Sequence, residues 1–488
     1  MNLAVNFRLV LYMCGWTLLM LAGAMLTPVV ISLITDDGMI PVFVKSAAAT
    51  GFLALCLIGQ GRERRKTDEV RSRDGLATVG LVWLMIGLLG ALPYWFSGTL
   101  PGFWDGMFES FSGFSTTGAT VLGDVEALPP SVSFWRVLTH WLGGMGIIVL
   151  MLAVLPVFGL SGVQLFKNES TLGQYRIKPR IAQTAKVLWL IYLGLSLALL
   201  VLLLAGGLEW FDALCNTMSA ISTGGFSNRN LSAAHYDSAY VEVVLTVFMF
   251  IGSLNFALYY LAARGDFKSL AANTECRVFF FIIVIAGILV FVSLMPAGLY
   301  DSPSAVLRHA YFQVVAIIST TGLTSTNWEQ WPHFGQGVLF VLFFIGGCSG
   351  STSGGMKCVR WILLFKGIRR TLLQHIHPRA IIPVRLGGQA VPETMMTAVW
   401  SFTAIYFIVM AFSTLMLAAL DIDLLTAFSA SASALGNVGL GLGTVGPADN
   451  FGHLPGPAKG VLSLAMFIGR LEFFSILILF LPEFWRKQ

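Results

Sequence analysis

The sequence predicts an all-α membrane protein: four pseudo-repeated helix–pore-loop–helix units around one pore, preceded by two extra transmembrane helices. Three observations carry this prediction. Apolar runs of spanning length recur along the whole chain, basic residues crowd into alternate loops, and a short Thr-Gly motif returns four times between spans.

Hydropathy decides the class. Of the 488 residues only 11% are charged, against about 25% in soluble domains, and mean hydropathy is +0.78. Crossing a hydrocarbon core takes roughly 20 apolar residues. Ten runs meet that test, near 9–34, 40–58, 76–97, 134–158, 187–206, 240–263, 278–299, 336–365, 394–420 and 457–482. The first, from Leu9 to Leu33, exceeds the roughly 7–15 residues of a signal-peptide core and is read as a retained span.

The net charge of +5 matters less than its distribution. Lys and Arg cluster at 62–73, 167–186, 264–277, 366–385 and 486–487, while intervening loops hold few. Short basic loops stay cytoplasmic, so both termini are expected inside a multi-pass protein. Membrane orientation explains the clusters, and no nucleic-acid partner is expected. The six cysteines form no CxxC pair, so neither a disulfide framework nor a zinc site is indicated.

Four half-apolar segments too short to cross, near 103–118, 210–224, 304–322 and 422–439, each end in glycine. Their ends read Ser115-Thr116-Thr117-Gly118, Ile221-Ser222-Thr223-Gly224, Ser319-Thr320-Thr321-Gly322 and Gly436-Asn437-Val438-Gly439. Each is followed by a second glycine in an apolar setting: Gly143, Gly252, Gly346 and Gly469. One such segment reads as a polar loop; two anchors kept in register four times read as an internal repeat. The expected division is a two-helix extension at 1–75 and pore units at 76–163, 164–265, 266–370 and 371–488.

A dehydrated cation needs oxygen ligands, and four loops presenting backbone carbonyls provide them. Turning carbonyls inward calls for backbone conformations that glycine adopts cheaply. Short helices ending at such loops aim their negative dipole ends at the ion. The expected K+ site is therefore Thr116, Thr117, Gly118, Ser222, Thr223, Gly224, Thr320, Thr321, Gly322, Asn437, Val438 and Gly439. Asp105, Glu109, Asp124 and Asp212 either concentrate cations at the mouth or form an ordinary hydrated rim.

Two further features stand out. The run Gly346-Gly347-Cys348-Ser349-Gly350-Ser351-Thr352-Ser353-Gly354-Gly355 interrupts a span. Each helical glycine costs about 1 kcal/mol relative to alanine, so this run is expected to leave the helix, either as a loop across the ion path or as a close-packed kink. Arg470 lies mid-span two residues from Glu472, and such a charge faces the protein interior or a partner. Lys357 and Arg360 follow the break and are expected at a cytoplasmic vestibule or interface.

The motifs at 111–120, 141–146, 222–226, 346–351 and 467–472 resemble those of the Trk/Ktr/HKT superfamily of cation transporters, over the whole chain. The two extra spans resemble its bacterial TrkH branch. The fourth loop departs from the pattern, with Asn437-Val438 in place of Ser/Thr-Thr. Glycine at all four loop ends resembles the potassium-selective members, where sodium-passing ones carry serine at the first. The resemblance implies that 346–355 is an intramembrane gate and that Arg470 is a pore-facing barrier. It also implies a homodimer in the lipid of a bacterial inner membrane and a cytosolic ring of nucleotide-binding TrkA-type subunits.

Other readings compete. Broken helices also mark ion-coupled secondary transporters, here a K+/H+ or K+/Na+ symporter, although their repeats are often inverted and these keep one orientation. An enzyme finds no support: no G-x-x-x-x-G-K-[ST], H-E-x-x-H or G-x-S-x-G occurs. No bound cofactor is expected beyond the transported ion.

Overall fold

The computed structural model describes residues 5–61, 72–154 and 181–486. The basic clusters from 62 to 71 and 167 to 180, and the expected unit boundary at 163/164, lie outside them.

Helices dominate because apolar spans satisfy their backbone internally, the condition a bilayer imposes. In the N-terminal extension, α1 (Phe7–Ala24) and α2 (Thr27–Thr35) make one span kinked where Pro28 enters, and α3 (Ile40–Gly61) returns beside it. Gly15 and Gly61 let α1 and α3 approach closely: a Cβ on Gly15 would lie 2.8 Å from the Ala54 carbonyl oxygen, and one on Gly61 2.6 Å from that of Arg8. Asp37, between α2 and α3, accepts from Ser131 N at 2.9 Å and so ties the extension to the first unit.

A span, a short helix and a second span then recur. The first set is α4 (Ser72–Leu89) with α5 (Leu92–Ser97), α6 (Phe103–Phe114) and α7 (Pro130–Val154). The second is α8 (Ile181–Ala205), α9 (Trp210–Ile221) and α10 (Ala239–Gly252) bent into α11 (Phe256–Ala263). After α12 (Phe267–Ala272), the third comprises α13 (Thr274–Leu294), α14 (Pro303–Ile318), α15 (His333–Leu342) and α16 (Cys358–Ile376). The fourth comprises α17 (Glu393–Ala418), α18 (Leu424–Gly436) and α19 (Gly456–Arg470). Starts follow side-chain capping: Asn273 accepts from Cys276 N at 3.0 Å, and Asp423 from Thr426 N at 3.0 Å. A hairpin of β1 (Arg385–Leu386) and β2 (Gln389–Ala390) turns at Gly387-Gly388.

Six of the ten expected spans are helical stretches long and apolar enough to cross a membrane, and a seventh, 239–263, bends by 96° between α10 and α11. Helix α7 carries the 134–158 run as far as Val154. The other two are interrupted, 336–365 by the glycine run and 457–482 after Arg470. Within the six, 28–44% of each apolar window is buried in the protein. The remaining apolar surface requires lipid, so the chain is a multi-pass membrane protein.

Candidate functional site: a ring of four loops

All four short helices end in the same way. The residue after the last helical turn takes the left-handed conformation: Thr116 (φ 53), Thr223 (φ 53), Thr320 (φ 57) and Asn437 (φ 53). The next amide reaches back five residues: Thr117 to Ser112 O (2.9 Å), Gly224 to Ser219 O (2.9 Å), Thr321 to Ala316 O (2.8 Å) and Val438 to Ser433 O (3.0 Å). This is the Schellman closure, in which glycine usually occupies the left-handed position. A β-branched threonine there is unfavourable by about 1–3 kcal/mol and persists only where its surroundings hold it.

Two residues beyond that position stands a glycine, again left-handed: Gly118 (φ 84), Gly225 (φ 90), Gly322 (φ 73) and Gly439 (φ 91). The second loop is therefore Thr223-Gly224-Gly225, one residue later than the expected Ser222-Thr223-Gly224. Ser222 ends the helix as Ser115 and Ser319 do, and Gly225 is the counterpart the sequence reading missed.

These glycines interlock the loops. A Cβ on Gly118 would lie 2.2 Å from Gly224 O, on Gly225 2.0 Å from Thr321 O, on Gly322 2.2 Å from Val438 O, and on Gly439 2.2 Å from Thr117 O. Loop one meets two, two meets three, three meets four, and four returns to one. Backbone oxygens of all four loops thus converge in a closed ring that no side chain at those glycines would permit. Asn437 Nδ2 donates to Thr117 Oγ1 at 2.9 Å across the seam between the fourth and first loops.

The downstream glycines acquire a physical reason as well. A Cβ on Gly143 would meet Phe114 O at 2.1 Å, on Gly252 Ile221 O at 3.0 Å, and on Gly469 Leu435 O at 2.2 Å, each the second carbonyl before the left-handed residue. In the third unit the chain departs: a Cβ on Gly346 would instead meet Gly354 O at 2.3 Å.

That departure is the glycine run, and it does leave the helix. Its base is closed by Gly346 N to Met356 O (2.9 Å) and Cys358 N to Gly347 O (3.1 Å). Its body enters the bend between α10 and α11, where Cys348 N donates to Ser253 O (2.8 Å) and Phe256 N to Gly350 O (3.0 Å). Its tip abuts three of the loops. Thr223 Oγ1 bonds to Thr352 Oγ1 at 3.2 Å, Gly354 N donates to Thr320 Oγ1 at 2.7 Å, and a Cβ on Gly354 would lie 2.6 Å from that of Asn437. Arg470, 2% exposed, donates through Nη1 to Thr352 O at 2.7 Å and through Nη2 to Gly143 O at 3.4 Å. It holds the glycine run directly.

Several expectations need correction. Lys357 is buried and donates to Ser353 O inside the run rather than lining a vestibule. Arg360 is buried over the Phe402 ring (3.8 Å) and pairs with Glu472 at 2.5 Å. Of the four acids, only Asp124 fits an exposed rim. Glu109 is fully buried, pairing with Arg136 Nε (2.8 Å) and accepting from Val121 N (3.0 Å). Asp212 accepts from Arg229 Nη2 (2.8 Å) and Asn228 Nδ2 (2.5 Å), and Asp105 from Lys459 Nζ (2.6 Å). Glu109 and Asp212 fasten the chain as it leaves its loop, a task Ser429 performs in the fourth unit by accepting from Leu442 N at 2.9 Å.

Residues the sequence reading passed over complete the site. Glu275 accepts from Ser349 N (2.8 Å) and Val359 N (2.9 Å), gripping the glycine run on both sides. Asn255 Oδ1 caps α11 by accepting from Ala257 N at 2.9 Å. The polar Ser253 and Asn255 inside an apolar run were the available signal for that bend. Nothing comparable marks Glu472 and Phe473, both left-handed without being glycine.

The chain resembles transport proteins end to end. It is 40% identical over 491 residues to the Trk system potassium uptake protein TrkH of Vibrio parahaemolyticus, covering 99% of this chain and 100% of that protein. It is 34% identical to the Trk system potassium uptake protein TrkG of Escherichia coli, covering 99% of both. The crystal structure of the potassium transporter TrkH from Vibrio parahaemolyticus matches with a TM-score of 0.91 and 38% identity, covering 99% of this chain and 100% of that one. A family model described as TrkH, cation transport protein, matches residues 44–487. By that match and these relatives, the chain belongs to the TrkH family of cation transport proteins.

Proposed function

We propose that this chain is a potassium uptake protein that conducts K+ through the ring of four loops, with Thr116–Gly118, Thr223–Gly225, Thr320–Gly322 and Asn437–Gly439 as the filter. The observation that carries the reading is the cyclic approach of each left-handed glycine to a carbonyl of the next loop. A ring of carbonyls substitutes for the hydration shell of a bare cation. The four short helices end against these loops, so their dipoles favour positive charge there. The relatives' names as potassium uptake proteins give the ion.

The glycine run 346–355 is the gate in this reading, and Arg470 both holds it and sets an electrostatic barrier. The contacts of Thr352 and Gly354 with loops two and three support that role. The units are taken as 76–163, 164–265, 266–370 and 371–488, after the 1–75 extension. Orientation follows the basic loops: both termini lie on the cytoplasmic side of a bacterial inner membrane. The working assembly is a homodimer in lipid with TrkA-type nucleotide-binding subunits on the basic cytoplasmic face, as the family resemblance implies. K+ crossing with H+ or Na+ as a symported ion is the second reading, favoured by the three interrupted helices.

The test is growth of cells lacking potassium uptake at limiting potassium, with the regulatory partner supplied. The wild-type chain restores growth, and Gly118→Ser restores it less while admitting more Na+. Failure of the wild type to support K+ uptake overturns the reading. Proton or sodium entry stoichiometric with K+ turns it to symport.

A further inference from the structure

The middle residue of each loop is Thr117, Gly224, Thr321 or Val438, and only the second lacks a side chain. The backbone does not demand this glycine, because Gly224 is absent from the left-handed positions. Its neighbour does. A Cβ on Gly224 would lie 1.5 Å from His140 Nδ1 and 2.4 Å from Cγ, a clash with the Nδ1 edge of the imidazole. His140 stands on α7, whose same face shapes the rest of this loop. Arg136, one turn earlier, donates from Nη1 to Ser227 O at 3.1 Å, and a Cβ on Gly144, one turn later, would lie 2.9 Å from that of Ser222. Beyond the loop, Phe226 lies with its ring 4.1 Å from the imidazole and 4.2 Å from the Arg136 guanidinium.

The choice of histidine is costly. His140 is fully buried, and neither ring nitrogen has a hydrogen-bond partner among the described residues. An unpaired buried polar group costs about 1–3 kcal/mol. The other units avoid that cost. His140 lies three residues before Gly143, and the same register before Gly252, Gly346 and Gly469 holds Met249, Phe343 and Met466, all buried and apolar.

We propose that His140 is a positioning residue for the second loop, its imidazole standing in for the side chain Gly224 lacks and thereby setting K+ over Na+ discrimination. The inference rests on the filter reading above. It makes His140 and Gly224 one size-matched pair divided between a span and a loop.

A double-mutant cycle on the full chain, with its regulatory partner, reads K+ and Na+ uptake into cells lacking both pathways. Gly224→Ala lowers K+ uptake about tenfold, and adding His140→Ala returns it to within about threefold of wild type, the coupling expected of residues in contact. His140→Ala alone retains K+ uptake but lowers the K+/Na+ ratio several-fold, an effect that merely structural packing would not produce. Crossing the pair, His140→Gly with Gly224→Thr, makes loop two Thr-Thr-Gly like loops one and three and restores the ratio. The crossed pair returns a side chain to the space the imidazole leaves, and it decides the matter if His140→Ala elutes as aggregate. Equal loss from Gly224→Ala with or without His140, an unchanged ratio in His140→Ala, or no recovery in a monodisperse crossed pair overturns the proposal. Gly225→Ala separates the two layers of argument: normal uptake in that variant sinks the filter assignment itself.

Discussion

The loops and the helices just beyond them obey different rules. Four loops share one closure, one left-handed glycine and one cyclic contact. Of the helices that follow, α7 runs unbroken through Gly143, α10 bends by 96° into α11, the third gives way to the glycine run, and α19 stops at Arg470. In the proposed reading the loops surround a dehydrated cation with carbonyls from four sides, whereas the glycine run, as a gate, needs only one obstruction and neighbours shaped to receive it. Fourfold likeness ends where the run docks between Ser253, Thr320 and Arg470.

The largest expected effect breaks the likeness of the ring. Gly322→Ala and Gly439→Ala each place a methyl about 2.2 Å from a carbonyl oxygen at positive φ. Both should reduce K+ uptake to near background, and to the same degree. A tolerated substitution at one of the pair would show that the loops are not equivalent. On the asymmetric side, deletion within 347–354 or Arg470→Ala should raise basal cation flux about tenfold or more in the absence of any activator. Glu275→Ala should raise it less, about threefold, because it removes the single oxygen, Oε1, that accepts from both Ser349 N and Val359 N and leaves the other contacts of the run in place. Unchanged flux in all three, measured in proteoliposomes, would make the run a packing element.

A stability measurement sharpens the same comparison. Glu109→Gln leaves the buried Arg136 charge without its partner and should cost about 3–5 kcal/mol, seen as a lower unfolding midpoint in detergent. The smallest effect belongs to the extension. Burial raises the Asp37 carboxyl pKa, but hydrogen bonds from Ser32, Ser131 and Met39 outweigh it and leave the pKa below normal. A depressed pKa stabilises the folded state fully above the unfolded value of about 3.9 and less as pH falls through the folded one. Asp37→Asn should therefore reduce thermal stability slightly at neutral pH and not at all in strong acid, with K+ uptake unchanged.

Much of this architecture was legible in the residues. Span lengths, the four glycine-ended segments and the interrupted third unit follow from hydropathy and helix propensity. The register of loop two did not, because Gly224 and Gly225 both satisfy a Thr-x-Gly or Thr-Gly pattern. Backbone dihedrals and the position of His140 separate them, and neither is local in sequence. The break at 253–255 carries a local signal in Ser253 and the capping Asn255, but the one at 471–473 does not, because Arg360 and Phe402 hold Glu472 and Phe473 there in place of helix-breaking residues. The acids misled because pairing is invisible to composition; Glu109 and Arg136 lie 27 residues apart.

The seam between the fourth and first loops bears on biosynthesis. Asn437 meets Thr117 across 320 positions of chain, so the circle stays open until nearly all of the polypeptide has been translated and inserted. Until then three polar hairpins wait in the bilayer without their final neighbour, where unsatisfied amides and carbonyls are costly. Closure of the ring thus depends on the last unit. A nascent chain halted before residue 439 should be held by chaperones or degraded rather than left as a leaky partial pore.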